Sequence, residues 1–501
     1  MAFVNSLINF FTSNRLLQIE SYTTQYADIQ KNELLSLLRR AQNTQIGRQY
    51  DFGSITDYRT FSERVPVMDY EHFNPYIEKM CCGERDVCWP GMIKWFAKSS
   101  GTTNAKSKFI PVTQESLESC HYRGAKDVVV VYTHLYPETQ ILHGKCLTLG
   151  GSKKISQLNE NSQVGDLSAI LIGNSPFWSQ FLKTPTPKIA LLSEWEEKLE
   201  KITATTVKEN VTSLAGVPSW FLILIKHILQ KTGKQNLHEV WPNLELFMHG
   251  GINFTPYREQ YKELCPKGIN FMETYNASEG FFGIQTSPHD IGLQLMLDYG
   301  IFYEFVPLAE VGNPFPHALP LADVEIGTDY AMVITTNGGL WRYMIGDTVR
   351  FTSVEPHKII ISGRTKHYIN AFGEELMIDN AEKALQAACK QTGATIREYT
   401  AAPVFMGSDN QGCHQWLIEF EKEPNSLDTF RDTLDDALKQ LNSDYEAKRY
   451  KNITLAPPIV TQAREGLFFD WLKSKGKLGG QNKVPRLANN REYIDSLLSM
   501  Q

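Results

Sequence analysis

What this chain lacks narrows it first. There is no basic surplus: 50 lysines and arginines stand against 56 aspartates and glutamates, a net charge of −6. Binding nucleic acid needs a basic face for the phosphates, so no nucleic-acid partner is expected. No apolar run reaches bilayer length. The most apolar window, 220–229, carries Lys226 and His227 and is too short to span, so it reads as a buried helix. The first eleven residues are apolar but follow no basic residue, and Asn5 and Asn9 interrupt them. An amphipathic helix is expected there, not an export signal, and no membrane partner. The eight cysteines form no C-x-x-C pair and no zinc spacing with histidine; only Cys81 and Cys82 are adjacent. They read as reduced, mostly buried thiols of a cytoplasmic protein. Internal repeats, low-complexity tracts and a long Pro/Gly linker are also missing. The oligomeric state leaves no trace in the sequence.

What is present describes an ordinary globular protein, 42% hydrophobic and 21% charged. At 501 residues it is long for one core, so two or three domains are expected. The first 90 residues read as helix and then loop. Thr113 followed by Glu115 and Glu118 is a helix start. The β-branched run 128–132 fits either a strand or the end of that helix. Residues 146–149 read as a strand ending at Gly150-Gly151, and 152–190 as an irregular excursion beside the substrate. From 329 the pattern turns to β: 330–336, a turn at Asn337-Gly338-Gly339, then 340–345. A further strand, 358–362, runs into Gly363-Arg364. Beyond Glu374, Leu376, Ile378, Ala381, Leu385 and Ala388 predict a helix. Leu427, Phe430, Leu434, Leu438, Leu441 and Tyr445 predict a second. With strands at 414–420 and 453–460, this gives a β-α-β-α-β order and a small α/β domain appended to a large one.

Three stretches carry chemistry. Ser99-Ser100-Gly101-Thr102-Thr103, with Lys106 and Lys108 behind it, sits between apolar runs and reads as a loop joining two strands. Its hydroxyls and free N–H groups suit phosphate oxygens, and a lysine adds mobile positive charge. Thr274-Tyr275-Asn276-Ala277-Ser278-Glu279-Gly280 is preceded by His249-Gly250-Gly251. Paired glycines let a flat base approach the backbone. An aromatic followed by a carboxylate suits stacking on that base and holding Mg²⁺ against phosphates. Leu340-Trp341-Arg342-Tyr343-Met344-Ile345-Gly346-Asp347 places an acid just past a strand end, the usual partner of ribose hydroxyls. Each stretch alone also fits a solvated turn.

Taken in order, and with Gly363-Arg364, Gly373-Glu374-Glu375 and Gln481-Asn482-Lys483-Val484-Pro485-Arg486, they resemble the adenylate-forming superfamily of acyl-CoA synthetases and luciferases. More closely, the chain is similar to the auxin-responsive acyl-acid amido synthetases, a plant family with bacterial members. The resemblance implies an α/β fold: a large N-terminal adenylate-forming domain of β-sheets and helices, residues 1–362, and a small mobile C-terminal α/β domain, 363–501. The hinge would lie at 362–366, where Gly363 and Lys366 suit a change of partners. It implies ATP and Mg²⁺ as cofactors, and a small carboxylic acid plus an amino acid as substrates.

The resemblance also implies roles. Ser99, Ser100, Gly101, Thr102, Thr103 and Lys108 would cradle phosphates, and Glu279 would hold Mg²⁺. Tyr275, Gly250 and Gly251 would hold the adenine, Thr274 and Ser278 would belong to the same ATP/AMP site, and Asp347 and Arg364 would contact ribose. Lys483 would be catalytic, bridging the carboxylate and the α-phosphate, with Lys477 as its rival. Asn104, where a glycine is common, and Asn276, where a small residue is common, depart from the pattern without removing a needed charge or hydroxyl. An acyl-CoA ligase sharing the same first step, and a non-catalytic nucleotide-binding protein, stay open as alternatives. The acyl acid is not legible: Phe177, Trp178, Trp220 and Phe221 supply aromatic surface but no anchor.

Overall fold

The computed structural model describes residues 2–99, 108–150, 156–192, 194–251, 254, 257–290, 292–365, 368–374, 376–405, 411–450, 454–474 and 484–501. Its first element is a long helix, Ala2–Ala41, with neither glycine nor proline in it and Arg39 and Arg40 in the last turn, where the dipole favours cations. Ile19, Tyr22, Gln30, Leu34, Leu37, Leu38 and Ala41 lie along one face of it and are buried. Gln30 donates to the carbonyls of Leu297 and Ile301 and accepts from Tyr303 N–H, each at 2.9 Å. Arg15 pairs with Asp127 at 2.7 Å and Asp298 at 2.5 Å. The helix is thus clamped across the sheet it covers.

That sheet has twelve strands, and its pairing changes character along its width. From Leu319–Pro320 through Ile301–Pro307, Asp329–Thr336, Tyr343–Val354, His357–Arg364, Leu293–Leu295 and Gly280–Ile284 to Asn270–Ala277, neighbours run antiparallel. From Asn270–Ala277 onward, Leu246–Gly250, Val211–Gly216, Lys145–Thr148 and Lys183–Thr184 run parallel. Parallel neighbours need crossovers. The helices Pro218–Thr232 and Arg258–Leu264 lie in two of them. Asn270–Ala277 is therefore the seam between an antiparallel and a parallel half. The 220–229 window lies in the first of these helices and is largely buried, as expected.

A second sheet of four strands contains the hairpin Trp95–Ser99 and Lys108–Val112, paired from Trp95 opposite Val112 to Ser99 opposite Lys108. The hydroxyl-rich stretch therefore joins two antiparallel strands, as its apolar flanks suggested. Thr113 caps the helical segment after it, accepting from Ser116 N–H at 2.9 Å.

Of the two readings left open for residues 128–132, the structure has the helix, Tyr122–Leu135, with Val128, Val130, Val131 and Tyr132 buried. Several other local expectations need correction. The strand expected at 340–345 starts at Tyr343 and continues to Val354, so Asp347 lies inside a strand and not past its end. The start is delayed by Arg342, which takes φ +42° while its N–H donates to Thr335 Oγ1 at 3.0 Å. Leu376 belongs to a short strand paired with Ile369, and the helix begins at Ile378. The amphipathic pattern of 427–445 is two helices, Leu427–Leu441 and Ser443–Arg449; Asn442 breaks it and caps the second by accepting from Tyr445 N–H at 2.8 Å.

The last sheet has three strands: Thr395–Val404, Cys413–Lys422 and Ile459–Gln462, the first pair antiparallel and the second parallel. The first was not foreseen, so two strands in place of one separate the helices. One apolar core spans this part and the parallel half of the large sheet, with Phe221, Phe247 and Tyr261 on one side and Phe372, Trp416 and Leu434 on the other. Tyr257 donates to the Ala371 carbonyl at 3.0 Å, and the Lys448 ammonium lies 3.7 Å from the centre of the Trp220 ring. No helix among the described residues is long and apolar enough to cross a membrane.

Candidate active site

The described expected residues lie on and around the end of the seam strand. Asp347, largely buried, sits opposite Arg364 in the register of its strand pair. Arg364 Nε donates to Asp347 Oδ1 at 2.7 Å, and the Tyr275 hydroxyl donates to Oδ2 at 2.6 Å. The carboxylate is therefore fixed from two sides by charge-assisted hydrogen bonds, and each oxygen keeps acceptor capacity. Tyr275 is only 4% exposed and packs edge-on against Phe282. In this arrangement it supports Asp347 more than it offers a ring face to a base.

Glu279 stands at the tip of a two-residue turn, since Ala277 and Gly280 pair directly across it and Ser278-Glu279 make the loop. The turn projects the carboxylate from the end of the seam strand. Burial pushes its carboxyl up to about 7, Lys108 opposes that shift, and the negative charge of Asp347 adds to it. Lys108, first residue of its strand, also lies over the Tyr70 ring at 5.3 Å. Lys108, Tyr275, Glu279, Asp347 and Arg364 thus share one electrostatic neighbourhood although they come from five strands and turns.

The glycine pair adjoins it. Gly250 ends its strand opposite Thr274, and a Cβ there would collide with the Thr274 carbonyl oxygen. Gly251 takes φ +82°, which favours glycine. Thr274 Oγ1 donates to the His249 carbonyl at 3.2 Å, and Ser278 occupies the hairpin turn beside Glu279. Ser99 is the last residue of its strand. Ser100, Gly101, Thr102 and Thr103 lie outside the described residues, as do Lys483, Lys477 and Lys366. Of the aromatics expected near the acyl group, Phe221 is in the core and Trp220 lies under Lys448; the side chains of Phe177 and Trp178 fall outside the description.

Among the described residues no group of three or more metal-binding side chains exists. Mg²⁺ that arrives with nucleotide phosphates needs only one or two carboxylates from the protein. Glu279 fits that requirement, since its charged form is disfavoured by burial and a cation would stabilise it.

Sequence reasoning passed over three polar groups beside this site: His249, used only as a landmark before the glycines, Arg258 and Glu273. The signal was present in the alternation of 271, 273 and 275 along one strand, but no motif drew attention to it. Arg342 was quoted in a motif, yet its guanidinium is buried on Glu304 at 2.7 Å and on the Val65 carbonyl at 2.6 Å, a structural role.

Comparison with known proteins supplies the context. AtGH3.15 acyl acid amido synthetase in complex with 2,4-DB superposes with a TM-score of 0.63 at 21% identity, covering 97% of this chain and 96% of that one. A 2-hydroxyisobutyryl-CoA ligase solved with 2-HIB-AMP and CoA gives 0.55 at 12% identity, covering 94% and 91%. These likenesses concern the fold, a mixed α/β architecture with a large N-terminal and a C-terminal domain. By sequence the chain is 24% identical to indole-3-acetic acid-amido synthetase GH3.3 of Arabidopsis thaliana, over 96% of this chain and 92% of that protein. It is 23% identical to indole-3-acetic acid-amido synthetase GH3.8 of Oryza sativa subsp. indica, over the same shares. The GH3 family N-terminal domain matches residues 15–270, the central domain 294–364 and the C-terminal domain 379–492. With its N-terminal domain match alone covering half of the sequence, and all three domains in order, the chain belongs to the GH3 family, whose named relatives are acyl-acid amido synthetases.

Proposed function

We propose that this protein activates a small carboxylic acid with ATP and passes the acyl group to an amino acid amine. In the first step a carboxylate oxygen bonds to the α-phosphorus while the bond to pyrophosphate breaks. In the second the amine bonds to the acyl carbon, AMP leaves with the shared oxygen, and the amine loses its proton. Both steps gather negative charge on phosphate oxygens, so cations and N–H donors are worth more than a strong base. Glu279 would hold Mg²⁺, which when bound would supply electrostatic stabilisation of the leaving pyrophosphate.

Lys108 and the 99–103 loop cradle phosphates in this reading. Gly250, Gly251, Thr274 and Ser278 border the base, and Asp347 receives the ribose hydroxyls with Arg364 and Tyr275 holding it in place. Lys483 neutralises the carboxylate and α-phosphate as they approach. Its neighbour Val484 is buried, Thr400 Oγ1 donates to the Pro485 carbonyl at 2.7 Å, and Ala401 N–H donates to the Arg486 carbonyl at 2.9 Å. The chain just past Lys483 is therefore pinned to the strand Thr395–Val404, which supports a lysine carried by the C-terminal part of the chain.

The observation that carries the reading is the doubly held Asp347 beside Glu279 and Lys108 at the seam of the large sheet. The test is ATP–pyrophosphate exchange across aryl and alkyl carboxylic acids, followed by mass analysis of products formed with amino acids or CoA. Acid-dependent exchange and an amide product support the proposal. A thioester product would replace the second half of it, and exchange with no acid would reject the whole.

A further inference from the structure

The far ends of the strands that carry the nucleotide groups border a half-open cavity of about 220 Å³. It lies where the long N-terminal helix and the helix Tyr122–Leu135 meet the large sheet, beside Thr286 and Pro356. Thr286 follows the strand Gly280–Ile284, which begins directly after Glu279. Pro356 lies in the turn of the hairpin whose other end pairs Asp347 with Arg364. The length of these strands, on the order of 20 Å at about 3.3 Å per residue, separates the cavity from the nucleotide groups. It is a second space, apart from the candidate active site.

Its floor and its mouth differ in chemistry. Ile19, Val131 and Gln294 form the buried floor, while Leu16, Leu135 and Pro356 add apolar wall. Glu20 and His134, both exposed, mark the mouth. An apolar void of about 150 Å³ holds benzene, so this one has room for a substituted ring. Gln294, only 5% exposed, is the polar group of the floor. Its side-chain NH₂ reaches the Ile19 carbonyl at 3.5 Å, and among the described residues its side-chain oxygen accepts no hydrogen bond. Leaving that oxygen unmet costs free energy that a ligand's O–H or N–H would recover. Neither lysine nor arginine lines the wall, whereas Glu20 brings a carboxylate that forms no ion pair among the described residues. The space therefore favours a cation over an anion.

We propose that this cavity is a binding site for a small aromatic amine. The ring lies against Ile19, Val131 and Leu135, a ring O–H or N–H donates to the Gln294 oxygen, and the ammonium sits at Glu20. Charge separates this ligand from the acid that is activated, because Glu20 repels a carboxylate. The contacts come from three elements: Glu20 from the N-terminal helix, Val131 from the second helix and Gln294 from the strand Leu293–Leu295. A bound amine thus fastens the N-terminal helix to the sheet it covers. The inference holds whichever acceptor the second step uses.

The test is calorimetric titration of the full chain, without ATP or carboxylic acid, with tyramine, phenethylamine and 4-hydroxyphenylacetate as probes. Tyramine carries the ring, a hydroxyl and an ammonium. Phenethylamine lacks the hydroxyl, and 4-hydroxyphenylacetate has a carboxylate in place of the ammonium. Tyramine should bind about fivefold more tightly than phenethylamine, as one hydrogen bond allows, and 4-hydroxyphenylacetate should not compete with it. Gln294→Leu should erase the preference for tyramine. Glu20→Gln should weaken both amines about threefold, the effect of a solvent-exposed ion pair. Leu16→Trp, which fills the wall and leaves the floor untouched, should abolish binding of both. A circular dichroism spectrum like that of wild type shows that each variant folds. No binding of tyramine at about 10 mM, well above a millimolar Kd, would overturn the site. So would binding that all three substitutions leave unchanged, since the amine would then lie elsewhere on the molecule. Equal affinity of wild type for the two amines, or displacement of tyramine by 4-hydroxyphenylacetate, would overturn it too.

Discussion

Arg342 adopts a backbone conformation that L-residues seldom hold, and its surroundings explain why it does so. Its guanidinium bonds both oxygens of Glu304 and the carbonyls of Ser62 and Val65, with no solvent to replace them. Arg342→Met leaves Glu304 buried without its cation, and a cost of about 3–5 kcal/mol is expected. Urea unfolding measures it; a loss under about 1 kcal/mol would contradict the pairing seen here. Tyr275 acts on a smaller scale. Tyr275→Phe removes one hydrogen bond from Asp347, so KM for ATP should rise about three- to tenfold with kcat nearly unchanged. A kcat loss without a KM change would instead place the phenol near the reacting atoms. At this scale the sequence made the charged groups visible, Lys108, Glu279 and Asp347 among them. It did not make visible who holds them, because Tyr275 reaches Asp347 across 72 residues of chain. The same holds for His249 and Glu273, which meet only through strand register.

Among the elements, the seam strand Asn270–Ala277 matters most, since it ends in the turn that projects Glu279 and pairs with the strand that ends at Gly250. Gly250→Ala puts a methyl group against the Thr274 carbonyl, so one of the two strand ends must shift. ATP affinity should fall about tenfold or more while the unfolding midpoint moves by only a few degrees. Calorimetric titration with ATP checks this, and unchanged affinity would remove Gly250 from the pocket. The hairpin around 99–108 was legible because apolar runs flank a polar loop. The helix after 427 was legible from its spacing, but its break was not, because Asn442 interrupts the pattern by capping and not by polarity alone. The strand Thr395–Val404 escaped because Arg397, Glu398 and two alanines give it little β signature, and pairing with Cys413–Lys422 overrides that preference.

At the scale of the molecule, a large sheet of mixed direction and a smaller C-terminal sheet share one apolar core. The shared core was not readable from the sequence, because contacts such as Tyr257 with Ala371 join distant segments. Burial also gives the fold a pH signature. His121 and His357 are held neutral, with burial lowering each to about 4. The unfolded chain takes up these protons as pH falls below about 6.5 while the folded chain does not, so stability declines from there toward pH 4. About 2–3 kcal/mol per histidine is expected by pH 4, and His121→Gln should flatten the decline in urea unfolding across that window. The central claim, that the groups gathered at the seam serve acyl activation, is tested most directly by ATP–pyrophosphate exchange with wild type, Glu279→Gln and Lys483→Ala. Exchange that depends on one class of carboxylic acid and falls about a hundredfold or more in both variants is the predicted result. Acid-dependent exchange that survives both substitutions would contradict it.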